Sequence, residues 1–496
     1  MSGQNTGGHA PAERLTIRHL LSIVAVSLVI GNANFEFTLI TGGLPDIAAE
    51  FRTTEVVLVM TVVFVASLVF LPITGRLADL YGKKRILLVV SAVFMAGSAL
   101  CALTTVYWLF LAGRVLQSSF VVAYVAGYGL MRDILPPRLV PLGVGGITIG
   151  TGVSVFVGPL LGGWLIDNHG FRSAFWFELC YALVAAVLVL LLVPESPARE
   201  RKSVDVLGGL LMGLGMAALV YCVVKTSMTP VLVPVGVVLL ALFVVVERRR
   251  EEPLVSMELL GRPQVWWPLL AAGMGMYALT AGTTLLAEAV RIPHIPGLAD
   301  RGLGWTALEF GLYVGVPYGL VGALTGVPAG WVCRRYSPRA ALLIAVLATT
   351  AGLLVMLASR HGGVGAAVTA AVLQGIALGF FYTAANNLVI EAVPADQQGI
   401  GTSLLYTVLG TANGIGSAAI TTITARHTRL TEGSDHAVVV TDTGFELSIL
   451  VLLAGGVVSV VLTLLMRHGR TPATGGATAD LKAGMSRPGA VAGGRA

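Results

Sequence analysis

The chain has 496 residues, 55% of them hydrophobic and only 12% charged, with a formal net charge of +6. A soluble protein is about one quarter charged, so a set of soluble domains is excluded. The basic excess lies in short loops between apolar runs and is not interleaved with aromatics, which excludes a nucleic-acid groove and favours a membrane protein.

Residues 1–17 form a polar N-terminal tail without the basic region and small-residue cleavage site of a removable signal, so the first apolar run is expected to remain as a helix. Runs of about 20 residues, each long enough to cross a ~30 Å hydrocarbon layer as a helix, then recur. They cover 18–41, 55–75, 86–105, 107–131, 140–166, 173–193, 205–225, 228–246, 264–290, 308–332, 340–359, 363–391, 399–425 and 445–466. Pro230 and Pro234 crowd the connection between the seventh and eighth runs; read as one re-entrant pair, these would lower the count from fourteen to twelve. Trp266 and Trp267 read as an interfacial anchor.

Most of the 32 Lys and Arg fall on one side of this pattern. That side holds Arg76-Lys83-Lys84-Arg85, Arg199-Arg201-Lys202, Arg248-Arg249-Arg250 and Arg334-Arg335-Arg339, and Lys225 belongs to the other. Positive loops stay inside, so both termini are expected in the cytoplasm. The Gly/Ala/Thr-rich segment 469–496 reads as a disordered cytoplasmic tail.

The string Gly75 to Arg85, after the second run, has a weak echo in Gly330 to Arg339, after the tenth. Duplicated halves are a transporter design. The expected architecture is therefore an all-α membrane protein with two six-helix bundles, 18–196 and 262–468, and a linker, 197–261, carrying two inserted transmembrane helices.

Within the Gly75–Arg85 string, Gly75 and Gly82 suit a tight turn between antiparallel helices. Asp79 can cap a helix N-terminus or pair with an arginine, closing the cytoplasmic side; Lys84 and Arg85 complete the candidate gating loop. The string is not a phosphate-binding loop, because Gly82-Lys83 is followed by Lys84 rather than Ser or Thr. No ATP site occurs elsewhere, so an ion gradient, with no cofactor, is the expected energy source.

The fourth run contains Arg114, the one Lys or Arg placed well inside a span, and the first contains Glu36. Both sit roughly 10–12 Å below the outer surface at 1.5 Å per residue. A charge at such depth is functional by default. Burial favours a protonated carboxyl and a neighbouring arginine favours the ionised form, which makes Glu36 with Arg114 a candidate proton-coupling pair; the alternatives are a static salt bridge and recognition of substrate charge. Asn32, Asn34 and Thr38 flank Glu36, Gln117 and Tyr124 follow Arg114, and Asn386 and Asn387 lie in the twelfth run: these are the candidate cavity residues, each otherwise a helix–helix hydrogen bond. Phe35, Phe37, Tyr313, Tyr318 and Tyr382 suit an apolar cavity wall or a lipid-facing surface. Glu178 and Glu288 lie near outer ends and read first as interfacial charges, with a second protonation site as the alternative. The fifth run carries Gly150, Gly152, Gly158, Pro159, Gly162 and Gly163, which permit close helix packing and a bend. Cys101, Cys180, Cys222 and Cys333 have no metal-ligand spacing and read as packing residues, and no histidine lies inside an apolar run.

These motifs together resemble the major facilitator superfamily, and within it the fourteen-span drug:proton antiporter branch, over roughly residues 18–468. Gly75–Arg85 resembles the loop motif between spans two and three, and Leu111-Ala-Gly-Arg114-Val-Leu-Gln117 the fourth-span motif. Gly150-Thr-Gly152 through Gly158-Pro159-Leu-Leu-Gly162-Gly163 is similar to the fifth-span antiporter motif, which is associated with exporters. Phe171 to Phe177 and Pro394 to Gly416 resemble further segments of the branch. The chain departs from the pattern in span one, with Glu36 at an aspartate position, Thr41 at an asparagine position and the ending Gly43-Leu44-Pro45. It departs again at Ser118, where glycine is usual, and at Glu178, where asparagine is usual. The resemblance implies a monomeric, proton-driven antiporter in the lipid bilayer that exports small amphipathic compounds, with small-molecule substrate and protons as its partners. An uptake symporter and a lipid or glycolipid transporter of the same architecture are the alternatives; a membrane enzyme lacks any candidate nucleophile, metal set or cofactor loop.

Overall fold

The computed structural model describes residues 15–477 apart from 41–42, 54–57, 197–204, 225–227, 251–261, 293, 296–297, 360–362 and 431–437. Thr41, Arg199, Arg201, Lys202 and Lys225 lie outside the described residues.

Each of the fourteen predicted intervals overlaps a helix among the described residues. The first half comprises α1 (Ile17–Thr38), the short α2 (Leu44–Phe51), α3 (Leu58–Tyr81), α4 (Lys83–Leu103), α5 (Tyr107–Gln117), which continues through a 3-10 turn into α6 (Val122–Ile134), α7 (Val140–His169) and α8 (Arg172–Leu192). Two further helices follow, α9 (Val206–Val224) and α10 (Thr229–Arg249). The second half comprises α11 (Pro263–Arg291), α12 (Val316–Arg335), entered through a π-helical turn at Gly311–Gly315, α13 (Pro338–Ala358), α14 (Val364–Ala392), α15 (Gln398–Arg426) and α16 (Asp442–Leu465). Among the described residues, eleven helical runs are long and apolar enough to cross a membrane, and α3, bent by 47° between Leu71 and Ile73, makes a twelfth if it is one span. The apolar part of α9 is shorter, Val206–Leu219, and α15 is long but rich in Gly, Ser and Thr.

Helix starts are set by side chains that satisfy orphan amides. Thr16 caps α1, Asp205 caps α9 and Ser337 caps α13. Two elements have no counterpart in the apolar pattern. One is α2. The other is the antiparallel hairpin of Thr428–Leu430 and Val438–Val440 between α15 and α16.

Glycines decide how the halves meet. A Cβ on Gly145 would lie 2.2 Å from the Gly326 carbonyl, one on Gly152 2.3 Å from the Ala323 nitrogen and one on Gly330 2.3 Å from the Pro141 carbonyl. The backbones of α7 and α12 therefore touch along their length, as small residues allow in lipid. On its other face α7 receives α1: Gly150 lies against Ser27, Gly158 against Thr38 and Gly162 against Leu39. Gly163 has open space around it, and Pro159 is accommodated inside the helix.

The pair α9–α10 forms two separate helices packed through Gly215 and Gly236, and Gly209 and Gly213 seat α9 on Ile73 and Val69 of α3. Much of α10 is exposed apolar surface, including Val231, Val235, Val237 and Val238.

Two expectations are corrected. Helix α3 runs through Tyr81, so Gly75 and Asp79 are helical and only Gly82, at φ +98°, makes the turn. The segment expected to be disordered from 469 holds defined contacts as far as Gly476. The Ala473 amide donates to the Cys333 carbonyl at 2.9 Å, and Thr474 and Gly476 donate to Glu391.

Candidate functional site

A cavity of about 360 Å³ lies between the halves. The first half contributes Asn34, Glu36, Phe37, Phe64, Tyr124 and Thr151 to its wall, and the second half Met276, Tyr318, Tyr382, Tyr406 and Asn413. Phe37 stacks on Phe64 at 4.8 Å. Tyr124 stacks on Tyr406 at 4.7 Å, and Tyr382 lies nearly parallel to Tyr124 at 6.4 Å. These rings come from α6, α14 and α15 and so join the two halves at one end of the cavity. The Asn386 amide donates to the Tyr406 hydroxyl at 3.1 Å.

The wall is otherwise apolar, so its few polar groups set what it can hold. Asn34 donates to the Ile30 carbonyl at 3.0 Å and faces Thr151. Thr38, Gln117, Asn386 and Asn387 do not line this cavity. Thr38 fills the notch at Gly158, and Asn387 bonds back to the Thr383 carbonyl. Asn32 is fully buried one turn below Glu36, with no hydrogen-bond partner for either amide atom among the described residues. Tyr313 and Glu288 are exposed on the second half.

Glu36 is 2% exposed and Arg114 is 0% exposed. The Glu36 Oε1 lies 3.6 Å from Arg114 Nη1, an ionic contact longer than a hydrogen bond. The guanidinium makes its closer contacts elsewhere. Nη1 donates to Gln117 Oε1 at 2.7 Å and Nε to the Val59 carbonyl at 3.2 Å. Gln117 Nε2 in turn donates to Glu178 Oε2 at 2.7 Å and to Ser98 Oγ at 2.9 Å. Glu178 is 0% exposed, which overturns its reading as an interfacial charge. Spacing along one helix could suggest Arg114 with Gln117, but the meeting with α8 depends on how α4, α5 and α8 pack.

The basic ends of the helices are sealed against each other. Both Asp79 oxygens accept from the Gly399 amide, at 3.1 and 3.0 Å, at the N-terminus of α15. Gly75 makes this approach possible, since a Cβ there would lie 2.7 Å from the Gly399 carbonyl. Ser403 Oγ donates to the Leu71 carbonyl beside it. Two turns beyond Tyr124 on α6, Arg132 donates to the Val393 carbonyl and to Gln398 Oε1, each at 2.7 Å, and to the Gly476 carbonyl at 3.3 Å. The folded-back segment thus touches both halves. Lys84 and Arg85 do not cross between them: the Lys84 amide donates to Glu195, and Arg85 Nε lies 3.6 Å from the same carboxylate. Lys83 and Arg76 are both buried cations of this string; Lys83 lies 2.7 Å from Asp133 and 3.7 Å from Asp79.

Arg132, Lys83 and Tyr406 escaped the sequence reading. Arg132 and Lys83 sit at helix ends, where a basic residue is ordinary, and only packing buries them. Tyr406 lies in the Thr- and Gly-rich α15, whose weak apolar signal hides which face is inward.

A sequence profile described as Major Facilitator Superfamily matches residues 26–300 and 287–488. The chain is 27% identical over 417 residues to "Multidrug resistance protein Stp" of Mycobacterium tuberculosis (strain CDC 1551 / Oshkosh), covering 82% of this chain and 76% of that one. It is 25% identical over 397 residues to the "Uridine/deoxyuridine transporter" of Lactococcus lactis subsp. cremoris, covering 75% and 80%. It is 25% identical over 431 residues to the "Tetracenomycin C resistance and export protein" of Streptomyces glaucescens, covering 83% and 77%. Its fold is that of the human organic anion transporter MFSD10 (TETRAN), with a TM-score of 0.64 at 14% identity over 90% of this chain and 100% of that one.

Proposed function

The chain belongs to the Major Facilitator Superfamily, and we propose that it is a proton-coupled antiporter that exports small amphipathic compounds by alternating access. The observation that carries this reading is Glu36, a carboxyl on the cavity wall with a buried arginine 3.6 Å behind it. A group so placed can exchange a proton with the cavity while its charge is felt by the helices that frame it. Relatives named for multidrug resistance and antibiotic export support the export direction. The nucleoside transporter among them is why uridine belongs in the substrate panel.

In this reading there are fourteen spans in two six-helix bundles with α9 and α10 inserted between them, and both termini are cytoplasmic. Continuity supports counting α15. Helix α14 ends beside Val393, which Arg132 contacts at the basic end, while α16 begins at Asp442, bonded to Asp300 in the connection that follows α11 at the opposite end. The chain must cross between those points. At 1.5 Å per residue the 19 residues of α9 reach about 28 Å, enough for a hydrocarbon core.

The cycle runs as follows. With the cytoplasmic side open, an amphipathic substrate enters the cavity while Glu36 is ionised and held by Arg114. The basic ends then close through Asp79, Gly399 and Arg132, the arrangement described above. A proton from outside reaches Glu36, its hold on Arg114 weakens and substrate leaves. Return to the inward side delivers the proton to the cytoplasm. No resident cofactor takes part.

The test is flux into inverted membrane vesicles under an imposed acid-inside gradient, with fluorescent cations, neutral amphiphiles, anions and uridine as substrates. Wild-type protein accumulates at least one of these, and Glu36→Gln abolishes the gradient-driven component. A Glu36→Gln protein that pumps normally would remove Glu36 from the mechanism, and gradient-driven exit from the vesicles would reverse the direction.

A further inference from the structure

The buried network holds two carboxyl groups around one guanidinium. Arg114 Nη1 donates to Gln117 Oε1 at 2.7 Å and lies 3.6 Å from Glu36 Oε1, and Gln117 Nε2 donates to Glu178 Oε2 at 2.7 Å. The orientation of the Gln117 amide is fixed by chemistry. A guanidinium can only donate, so it must meet the amide oxygen, and the amide NH2 is left for Glu178 and Ser98. Gln117 therefore joins the arginine and Glu178 by two short hydrogen bonds, while Glu36 is held only by the longer contact.

The two carboxyls differ in access. Glu36 lines the cavity and Glu178 does not; it stands behind Gln117 on α8. One oxygen of each, Oε1, has no hydrogen-bond partner among the described residues. The other titratable side chains facing the network are a thiol and two phenols: Cys101 on α4, with Sγ 3.9 Å from Gln117 Oε1, Tyr124 on α6, and Tyr181 on α8 itself. Helix α3 presents the Val59 carbonyl and the Met60 sulfur, and α7 the uncharged Thr151 beside Asn34. Among the described residues Arg114 is thus the basic group of this site, and Glu36 and Glu178 are its two carboxyl groups.

We propose that Glu178 is a positioning residue for proton coupling, the standing counter-ion of Arg114 held through Gln117. Each time Glu36 takes up a proton, its claim on Arg114 lapses. A buried guanidinium left without a partner is strongly unfavourable. Glu178 removes that cost, so Glu36 can cycle between charged and neutral without stranding the arginine. The inference rests on the coupling role of Glu36 and adds where the arginine's charge is balanced while Glu36 is neutral.

The experiment measures gradient-driven flux of the fluorescent panel compound that wild type accumulates, as a function of external pH, for wild type, Glu178→Gln and Gln117→Leu, with equilibrium binding of the same compound at pH 8 as a fold check. Glu178→Gln is isosteric and removes only the charge, leaving Arg114 to bind Glu36 alone. Protonation of Glu36 then competes with the pair, and the pH profile moves to lower pH by about one unit or more, with binding retained. Gln117→Leu cuts the link and moves the profile the same way. Profiles that coincide with wild type, or that move to higher pH, overturn the proposal. Should Glu178→Gln fail to bind substrate, the Gln117→Leu profile decides by the same criterion. A Glu36→Gln protein that still couples would sink the underlying reading instead, so the two failures are distinguishable.

Discussion

Asp79→Asn perturbs the seal at the basic ends with little change in shape. Both Asp79 oxygens share the Gly399 amide, at 3.1 and 3.0 Å, and Asp79 is 3% exposed. Asparagine keeps one acceptor oxygen and loses the charge. A hydrogen bond to a charged group contributes about 1.5–3 kcal/mol, against about 0.5–1.5 for a neutral one. Placement at the N-terminus of α15 adds about 0.3–1 kcal/mol that also depends on the charge. The loss is about 2 kcal/mol, or roughly 30-fold in the ratio of closed to open basic ends. A closed state favoured about 100-fold would fall to about threefold, which makes the open form directly visible. Spin labels at Arg85 and Tyr336, both exposed and on opposite halves, report the separation by pulsed EPR once the native cysteines are replaced. A longer-distance population should appear in Asp79→Asn. Asp133→Asn, which disturbs Lys83 within the first half, should leave the distribution nearly as it was. An unchanged distribution in a folded Asp79→Asn protein would refute the view that this contact holds the end closed.

The glycines of α7 divide sharply. A Cβ at Gly150 would lie 2.1 Å from the Ser27 carbonyl, whereas Gly163 has nothing within 4 Å. Gly150→Ala should cost about 1–3 kcal/mol by overpacking, and Gly163→Ala should be neutral or stabilising by up to about 1 kcal/mol through helix propensity; thermal unfolding in detergent separates them. The segment after α16 bridges both halves through Gly476, Thr474 and Ala473. Ending the chain at Arg470 removes those bonds, each contributing about 0.5–1.5 kcal/mol. The Arg85–Tyr336 separation should shift toward open in the same direction as for Asp79→Asn, and an unaltered distribution would show that the segment does not hold the halves together.

The sequence made the elements legible because lipid leaves few choices. An apolar run of span length must satisfy its own amides, so fourteen helical intervals could be drawn from composition alone, even through the crowded Pro230–Pro234 connection. It missed α2 and the hairpin before α16, whose short mixed sequences carry no such constraint. The fifth-run glycines announced close packing but not its partners: Gly152 proved to face α12, Gly150, Gly158 and Gly162 to face α1, and Gly163 to face neither.

Depth along a helix was also readable, since 1.5 Å per residue places Glu36 and Arg114 at one level. Rotation about each helix axis and the choice of neighbour were not. These follow from how whole surfaces interlock, and they decided that Arg114 bonds more closely to Gln117 than to Glu36, and that Glu178 lies inside the bundle rather than at its rim. They also placed Asn386 and Asn387 behind the cavity wall and buried Arg132 across the seam between halves. Hydrophobicity, charge and chain length act on one segment at a time, so they determined what crosses the membrane. Contacts among charged and polar side chains depend on several helices at once, so the network behind the cavity was decided only by the tertiary structure.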